Sequence, residues 1–434
     1  MENDTQPDWD SNRHWLQPCD NKQDKMKVLS GEPLEMPAKG GTQVVMAEAP
    51  VDDAYSSILS LVECFDEIED PRINRRRVHN LIDIIVIGIC AVICNADGWA
   101  DMRTWAETHR KWLQQFLQLP GGLPSRDTLR RTLSRLDPQA FQQAFLKWLR
   151  GLRKELGNVI AIDGKTLRGS KVGGIKPLHI VSAWASDQHL TLGQTTVDKK
   201  SNEITAIPKL LESLTLSGAI VTIDAMGCQR DIAAKIIERK GHYCLAVKGN
   251  QEKLHEQLKE EFEKAMSLDR PPKRLGIHQV KDVDKKPHGR YEQRYYYTLP
   301  APKSLKASGD WKDLRSIGLT ITYRSDDPNN WGEGEVRYYI MSFTSDAVRF
   351  GAAVRQHWGI ENSLHWVMDV TFREDESRIQ KDHGAENISW LRRLAVTLIK
   401  HNTTRQASIR QKRLRAGYDF EFLLEILNSV PVTN

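Results

Sequence analysis

Cysteine is scarce in this chain of 434 residues, which has six, and no two of them form a Cys-x-x-Cys pair. Several lie inside apolar runs, where a reduced cysteine behaves as a small hydrophobic side chain. The pattern predicts a reducing, intracellular compartment and excludes both a disulfide framework and a structural zinc site of the usual spacing. The six are Cys19, Cys64, Cys90, Cys94, Cys228 and Cys244.

Long hydrophobic runs are also missing. The strongest, Ile84 to Cys94, has about half the length of a bilayer-spanning helix, so we interpret it as a buried helix. The first residues, Met-Glu-Asn-Asp, are acidic and lack the apolar core of a signal peptide. We therefore expect no membrane partner. The chain also lacks a glycine-rich phosphate loop and a nucleophile elbow, which argues against a small-molecule enzyme.

Charge is distributed unevenly along the chain. The formal net charge is +5, but residues 1–55 hold eleven Asp/Glu and five Lys/Arg, so that segment carries −6 and the rest carries +11. A basic body of this size suits a partner with a phosphate backbone, although charge alone does not identify one.

The hydrophobic pattern divides the chain into four segments. Residues 1–54 are polar and without periodicity, which predicts a flexible extension. Residues 55–156 have helical periodicity. Residues 157–402 alternate short apolar strands with helices, which is typical of an α/β sheet, with a β-rich insertion at about 268–344. Residues 403–434 are expected to form a C-terminal tail with a short helix.

Two arginine clusters lie in the helical segment. A short helix begins after Pro124 and ends before Asp137, and it carries an apolar stripe of Leu129, Leu133 and Leu136 opposite an arginine-bearing face. A short helix, a turn and such a face resemble a helix-turn-helix unit that docks on DNA. A small helical bundle with solvated arginines explains the same pattern. The arginines expected to contact DNA are Arg72, Arg75, Arg76, Arg77, Arg126, Arg130 and Arg131.

Two aspartates, Asp163 and Asp224, each end a strongly apolar strand. Carboxylates at the ends of adjacent buried strands can face one another and hold a hard divalent cation through their oxygens. The interval between them accommodates a hairpin and a helix, so their strands can be neighbours in one sheet. An aspartate after a buried strand is often only a turn or cap residue, and that alternative holds for either one in isolation.

A third acid, Glu361, lies in a predicted helix from Asp346 to Val370. At 100° per residue, one face of this helix collects a cation, two acids, an amide, an imidazole and a tryptophan. A solvated face would favour interchangeable Lys/Glu pairs, so this composition indicates a site. The residues on this face are Arg355, Trp358, Glu361, Asn362, His365 and Asp369.

Several long motifs resemble the ISAs family of bacterial insertion-sequence transposases, which includes the H-repeat-associated proteins. The resemblance covers residues 56–402, in order. It implies a DDE catalytic domain with the ribonuclease-H-like fold over 157–402, preceded by a helical DNA-binding or associated domain, and the β insertion also matches. The motifs are Ile-Asp-Gly-Lys-Thr-Leu-Arg-Gly-Ser (162–170), Ser-Asn-Glu-Ile-Thr-Ala-Ile-Pro (201–208), Thr-Ile-Asp-Ala-Met-Gly-Cys-Gln (222–229), Ala-Val-Lys-Gly-Asn-Gln (246–251) and His-Trp-Gly-Ile-Glu-Asn-Ser-Leu-His-Trp (357–366).

On this resemblance, Asp163, Asp224 and Glu361 are the catalytic acids and the ligands of two Mg²⁺ ions, or of Mn²⁺ in their place. The implied reaction is metal-dependent strand cleavage at insertion-sequence ends and transfer into target DNA. The implied partner is double-stranded DNA, both element ends and target, with a dimer in the synaptic complex, in the bacterial cytoplasm at the nucleoid. Two alternatives stay open: a metal-dependent nuclease without strand transfer, and a catalytically inactive DNA-binding relative.

Further phosphate contacts are expected around the acids. Lys165 and Arg168 follow the first acid, and Lys248 lies in a Lys-Gly-Asn turn after a buried strand. Relatives in the wider superfamily often have Tyr, Arg and Lys at fixed offsets around the glutamate, where this chain has Val354, His357 and Met368. Whether Arg355, His357 or His365 takes over a phosphate contact is left open by the sequence.

Overall fold

The computed structural model describes residues 56–148, 159–171, 176–198, 201–267, 273–282, 291–307, 309–327 and 330–429. The extension predicted for residues 1–54 lies outside these residues, as does Cys19. The five other cysteines are free thiols. Among the described residues, no helix is long and apolar enough to cross a membrane.

The first segment is helical, as its periodicity predicts. Ser125 caps one of its short helices by accepting a hydrogen bond from the backbone N–H of Thr128, and Asp137 caps the next through the N–H groups of Gln139 and Ala140. The predicted stripe of Leu129, Leu133 and Leu136 is fully buried. The helices are α1 (Ser56–Phe65), α2 (Leu81–Ile93), α3 (Trp99–Thr108), α4 (Arg110–Leu113), α5 (Arg126–Leu133) and α6 (Pro138–Trp148).

A mixed sheet of nine strands follows, in the order β3-β2-β1-β4-β5-β9-β8-β7-β6. Strands β1, β4 and β5 run parallel, and the other pairs are antiparallel. The strands are β1 (Val159–Leu167), β2 (Leu178–Ala185), β3 (Leu190–Thr196), β4 (Ile220–Ile223), β5 (His242–Val247), β6 (Gly276–Asp282), β7 (Tyr291–Pro300), β8 (Ser316–Ser325) and β9 (Glu335–Met341).

The four strands expected in the β-rich segment are present, and the structure adds how they attach. β9 pairs with β5, with Leu245 opposite Ile340, so the segment continues the main sheet. Four helices connect the strands: α7 (Glu203–Ser213), α8 (Arg230–Glu238), α9 (Glu252–Met266) and α10 (Lys303–Ala307).

The helix predicted from Asp346 to Val370 is interrupted. It consists of α11 (Ala347–Ile360), a π-helical turn (Glu361–His365) and α12 (Trp366–Val370). The last long helix is α13 (Gly384–His401). After residue 402 the sequence predicts one short helix, but the structure has two, α14 (Ile409–Ala416) and α15 (Phe420–Leu427). Phe422 and Leu423 of α15 belong to the same hydrophobic core as residues of α2 and β1. Burial of these side chains stabilises α15 within the segment for which the sequence predicts a tail.

Candidate active site

Strand pairing brings the first two acids to one edge of the sheet. β1 and β4 run parallel with Ile162 opposite Ile223, so the residues that follow them, Asp163 and Asp224, are neighbours. Asp224 ends its strand and accepts hydrogen bonds from the N–H groups of Met226 (3.1 Å) and Gly227 (3.3 Å). Asp163 stays within β1, which continues to Leu167.

The third acid joins them from the helix. Glu361 is the first residue of the π turn, and all three carboxylates line one cavity of about 190 Å³. Single π turns inside α-helices occur frequently at functional sites. The structure therefore brings together the three acids that the sequence selects.

Electrostatics in this cavity reflect three acids in close proximity. Burial raises the pKa of Asp224, and the charges of Glu203 and Asp163 raise it further. Burial, followed by the charge of Asp163, likewise raises the pKa of Glu361. Burial also raises the pKa of Asp163, but the hydrogen bond and charge of His365 outweigh it and leave a lowered pKa. Mutual repulsion of this kind is relieved by a bound cation.

The chemistry of these donors fits a hard divalent ion, because carboxylate oxygens are the ligands that Mg²⁺ prefers. Within the described part of the chain, no three Asp, Glu, His or Cys side chains converge closely enough to form a ready-made metal site. The three acids nevertheless line one cavity. DDE transposase domains generally use divalent metal ions.

Both histidines of the helix face the acids. His365 Nδ1 lies 3.3 Å from Asp163 Oδ2. His357 lines the cavity, and its Nδ1 lies 3.0 Å from Thr222 Oγ1. Burial lowers the pKa of His357, which favours the neutral ring. His365 thus contacts one of the acids, whereas His357 contacts Thr222.

Lys165 is placed differently from the sequence expectation. Its side chain is 7% exposed, and its Nζ lies 2.7 Å from Asp369, 3.1 Å from Asp375 and 3.4 Å from Glu374. An ammonium group held by three carboxylates is not offered to DNA, so this structure argues against the contact predicted for Lys165. Arg168 is 84% exposed, and Lys248 is exposed at the rim of the acid cavity.

The first arginine cluster divides into two kinds of residue. Arg72 is largely buried and forms an ion pair with Asp70 at 2.7 Å, and Arg77 donates to the carbonyls of Asp70 and Arg72. These two arginines therefore stabilise the local loop. Arg75 is exposed, and the side chain of Arg76 lies outside the described residues.

The second cluster, on α5, is more open to solvent. Arg126 is 64% exposed, and Arg131 is exposed as well. Arg130 is half-buried with its Nε 3.4 Å from Asp127 Oδ1. The face opposite the buried leucines is thus available for a phosphate backbone at Arg126 and Arg131.

Two residues near the acids, Arg337 and Glu203, were missed by sequence reasoning. Arg337 of β9 lines the acid cavity and lies over the ring of Trp358, 4.8 Å from its centroid. Glu203 accepts from His179 at 2.7 Å, and a Cβ at Gly164 would lie 2.2 Å from Glu203 Oε1. Arg337 could have been found because it is a charged residue near the start of a largely apolar strand. Glu203 could have been found because it lies in the Ser-Asn-Glu-Ile motif.

A second cleft, of about 440 Å³, adjoins the acid cavity and shares Arg337, Tyr339, Val354 and Trp358 with it. Arg355 lines this cleft, together with Arg294, Arg324 and Asn362. Glu292 and Glu335 also line this cleft and form ion pairs with Arg294, Arg324 and Arg337, so these three arginines are already charge-compensated.

A mixed α/β sheet with two aspartates on neighbouring parallel strands, one within β1 and one after β4, and a helical glutamate around one cavity defines the class of DDE-type DNA-processing proteins. Two family profiles match this chain: residues 62–149 match the domain associated with the DDE transposase domain, and residues 154–398 match the transposase DDE domain itself. The chain belongs to the DDE transposase family.

Its relatives include H-repeat-associated proteins, as the motifs predicted. The H repeat-associated protein YhhI of Escherichia coli strain K12 is 38% identical over 373 residues, covering 85% of this chain and 97% of the relative. YncI of Escherichia coli O157:H7 is 37% identical over 378 residues, covering 86% and 95%. Both carry the name of a transposase. YbfQ of strain K12, named an inactive transposase, is 44% identical over 57 residues, 13% of this chain and 68% of the relative.

Among solved structures, a piggyBac transposase synaptic complex with hairpin DNA aligns with 87% of this chain and 83% of its own. The identity is 13% and the TM-score 0.41, a likeness too weak to carry an argument.

Proposed function

We propose that this chain cuts DNA strands at the ends of an insertion sequence and joins them to target DNA, with Asp163, Asp224 and Glu361 as its catalytic acids. The observation that carries the proposal is the single cavity lined by all three carboxylates. The strand order β3-β2-β1-β4-β5, with β1, β4 and β5 parallel, supports a ribonuclease-H-like core.

The three acids would hold two Mg²⁺ or Mn²⁺ ions, which when bound supply charge stabilisation for in-line displacement at phosphorus. Water would break the bond between phosphorus and the 3′ oxygen at the element end, and the freed 3′-hydroxyl would attack a target phosphodiester. His365 orients Asp163. Lys248, which is exposed at the same cavity, would neutralise the phosphate.

The test uses the purified full chain, Mg²⁺, a duplex carrying the inverted repeats that flank the gene, and a supercoiled target plasmid. Joined products support a transposase. Cleaved ends without joined products indicate a nuclease, and binding without metal-dependent cleavage indicates an inactive relative. Either of the last two results would overturn the proposal.

Double-stranded DNA is the proposed partner, as element end and as target, and bringing two ends together calls for at least a dimer on DNA. The proposed site of action is the chromosome in the bacterial cytoplasm. The exposed arginines of α5 are the proposed backbone contacts in the helical segment, with Arg75 and Arg168 as further candidates.

Neutralising Arg126 and Arg131 together, as Arg126→Gln/Arg131→Gln, is expected to weaken DNA binding without changing its sequence preference, because backbone contacts carry affinity and not base readout. Each lost phosphate contact should lower the slope of log K against log salt by about 0.9. Fluorescence anisotropy over a salt series measures the slope. Arg410→Gln, an exposed arginine on α14, is the matched control, and an unchanged slope in the double variant would remove α5 from the interface.

Divalent ions are expected to stabilise the folded chain more at about pH 7.5 than at about pH 5. The raised pKa values of Asp224 and Glu361 mean that the metal-free fold loses stability as pH rises from the ordinary carboxyl range through these raised values. A bound cation removes that loss. At about 100 times Kd, the ion should contribute about 2.7 kcal/mol.

The measurement is thermal unfolding with and without Mg²⁺ at both pH values. At each pH, subtracting the scan without Mg²⁺ from the scan with Mg²⁺ removes the pH dependence that does not involve the metal. That part includes the effect of Asp163 in the metal-free fold, whose lowered pKa makes the fold more stable as pH rises. Glu361→Gln should reduce the metal-dependent shift. A shift of equal size at both pH values would contradict the prediction.

A further inference from the structure

Lys165 lies two residues after Asp163 on β1, and residues two apart on a strand point to the same side of the sheet. Its ammonium group is buried among Asp369, Glu374 and Asp375. A buried lysine with this many partners is a costly feature unless each charge is compensated. Nothing in the proposed chemistry uses this group, so its role needs another explanation.

Two side-chain contacts connect β1 to the helix that carries Glu361. Asp163 pairs with His365 at 3.3 Å, and Lys165 pairs with Asp369 at 2.7 Å. Residues 163 and 165 are one two-residue repeat apart on the strand, and residues 365 and 369 are about one helical turn apart. The two pairs therefore fix both the distance and the rotation of the helix against the strand.

Glu361 lies one turn before His365 and inside the π turn. A π turn is rare compared with an α-helical turn and occurs mostly as a single turn inside an α-helix. The Lys165–Asp369 pair lies directly beyond the turn, where it can hold the wider turn in register.

Further buried groups anchor Lys165 itself. Glu374 is fully buried and lies 3.4 Å from Arg393, which is also fully buried on α13. Arg393 donates to Ser182 at 3.3 Å, and Ser182 is the residue opposite Asp163 on β2. One acidic partner of Lys165, Glu374, is therefore connected through Arg393 to β2, the strand that pairs with β1 at Asp163.

We propose that Lys165 is a positioning residue, which holds the Glu361 helix in register with Asp163 through its ion pair with Asp369. This assignment rests on the proposed function for its catalytic meaning, although the mechanical claim stands on these contacts alone. It replaces the DNA contact that the sequence suggests for Lys165.

The experiment compares Lys165→Met with Lys412→Met in the full chain. Lys412 is also 7% exposed, but its Nζ donates to the carbonyls of Ile399 and Asn402, away from the acids. Hydrogen exchange is read out for the amides of residues 361–365, and Mn²⁺ affinity is measured by electron paramagnetic resonance.

We expect Lys165→Met to speed exchange at 361–365 by about tenfold or more and to weaken Mn²⁺ binding by about 10- to 100-fold, as outer-shell substitutions at metal sites do. Lys412→Met should speed exchange only around α14. Asp369→Ala leaves Lys165 paired with Glu374 and Asp375 and keeps the test informative if Lys165→Met fails to fold. Because it removes the Lys165–Asp369 pair itself, it should show both effects at a similar size.

Unchanged exchange at 361–365 in the folded Lys165 or Asp369 variants would overturn the proposal. So would equal exchange at 361–365 in Lys165→Met and Lys412→Met. The wild-type chain separates this result from the proposed function, because a wild type that binds no Mn²⁺ and cleaves no DNA would reject the catalytic assignment while the exchange data still decide the positioning role.

Discussion

Asp163→Asn and Glu361→Gln are each expected to abolish DNA strand cleavage while leaving binding to end DNA largely intact. Each change removes one negative charge from the shared cavity. Because the new side chain has nearly the same size, the surrounding fold should be unchanged. Since a metal centre contributes several kcal/mol of charge stabilisation, the loss should be about 10³-fold or more in cleavage rate. A labelled duplex with Mg²⁺ reports cleavage, and anisotropy without Mg²⁺ reports binding.

Matched controls make this result specific to position. Asp187→Asn lies in the exposed turn between β2 and β3, and Glu256→Gln lies on the exposed side of α9. Both make the same chemical change away from the cavity and should cleave normally. If Asp163→Asn or Glu361→Gln cleaves at the wild-type rate, that residue has no place in the catalytic centre.

The meeting of the three acids could be predicted because each rests on a strong local pattern. Asp163 and Asp224 follow continuous apolar runs, which are typical of buried parallel strands, and neighbouring parallel strands end at one edge of the sheet. The polar face around Glu361 follows from helical period alone. Local sequence thus determines which side chains are presented, and pairing of β1 with β4 brings them together.

The partners of Lys165 could not be predicted in the same way. Its contact with Asp375 joins residues 210 positions apart, which local sequence patterns do not describe. From the sequence alone, a lysine close to a predicted catalytic acid is equally consistent with a phosphate contact. The π turn is similarly hidden, since no residue in Glu361–His365 departs from ordinary helix formers enough to mark it. The two C-terminal helices owe their stability to a core that the local sequence does not describe.

The sheet extension shows a further limit. Strand periodicity located β6 to β9 to within a few residues, but it did not say that β9 would pair with β5. That pairing places Arg337 at the acid cavity, where it lowers the pKa of Glu361 against the larger effect of burial. Periodicity is a property of residues close together in sequence. It therefore cannot predict that Arg337 reaches the site, because that position depends on the pairing of two strands that are far apart in sequence.

Glu374→Ala is expected to be the most destabilising single substitution near the site, by about 3–5 kcal/mol, because removing one partner of a buried ion pair leaves an uncompensated charge. Glu374 and Arg393 are both fully buried, and Lys165 would lose one of its three carboxylate neighbours. The charge of Arg393 lowers the pKa of Glu374 despite its burial, so the acid is ionised in the fold. Urea unfolding of the full chain, followed by tryptophan fluorescence, measures the loss.

Glu376→Ala is the matched control for this loss. Glu376 lies two residues further along the same turn, is 63% exposed and pairs with the exposed Arg373, so its removal should cost about 1 kcal/mol or less. Replacing both buried partners, as Glu374→Leu/Arg393→Leu, should recover part of the stability, because the unpaired charge of Arg393 is then gone. Equal stability of Glu374→Ala and Glu376→Ala would show that the buried pair does not hold α13 against the strand that carries Asp163.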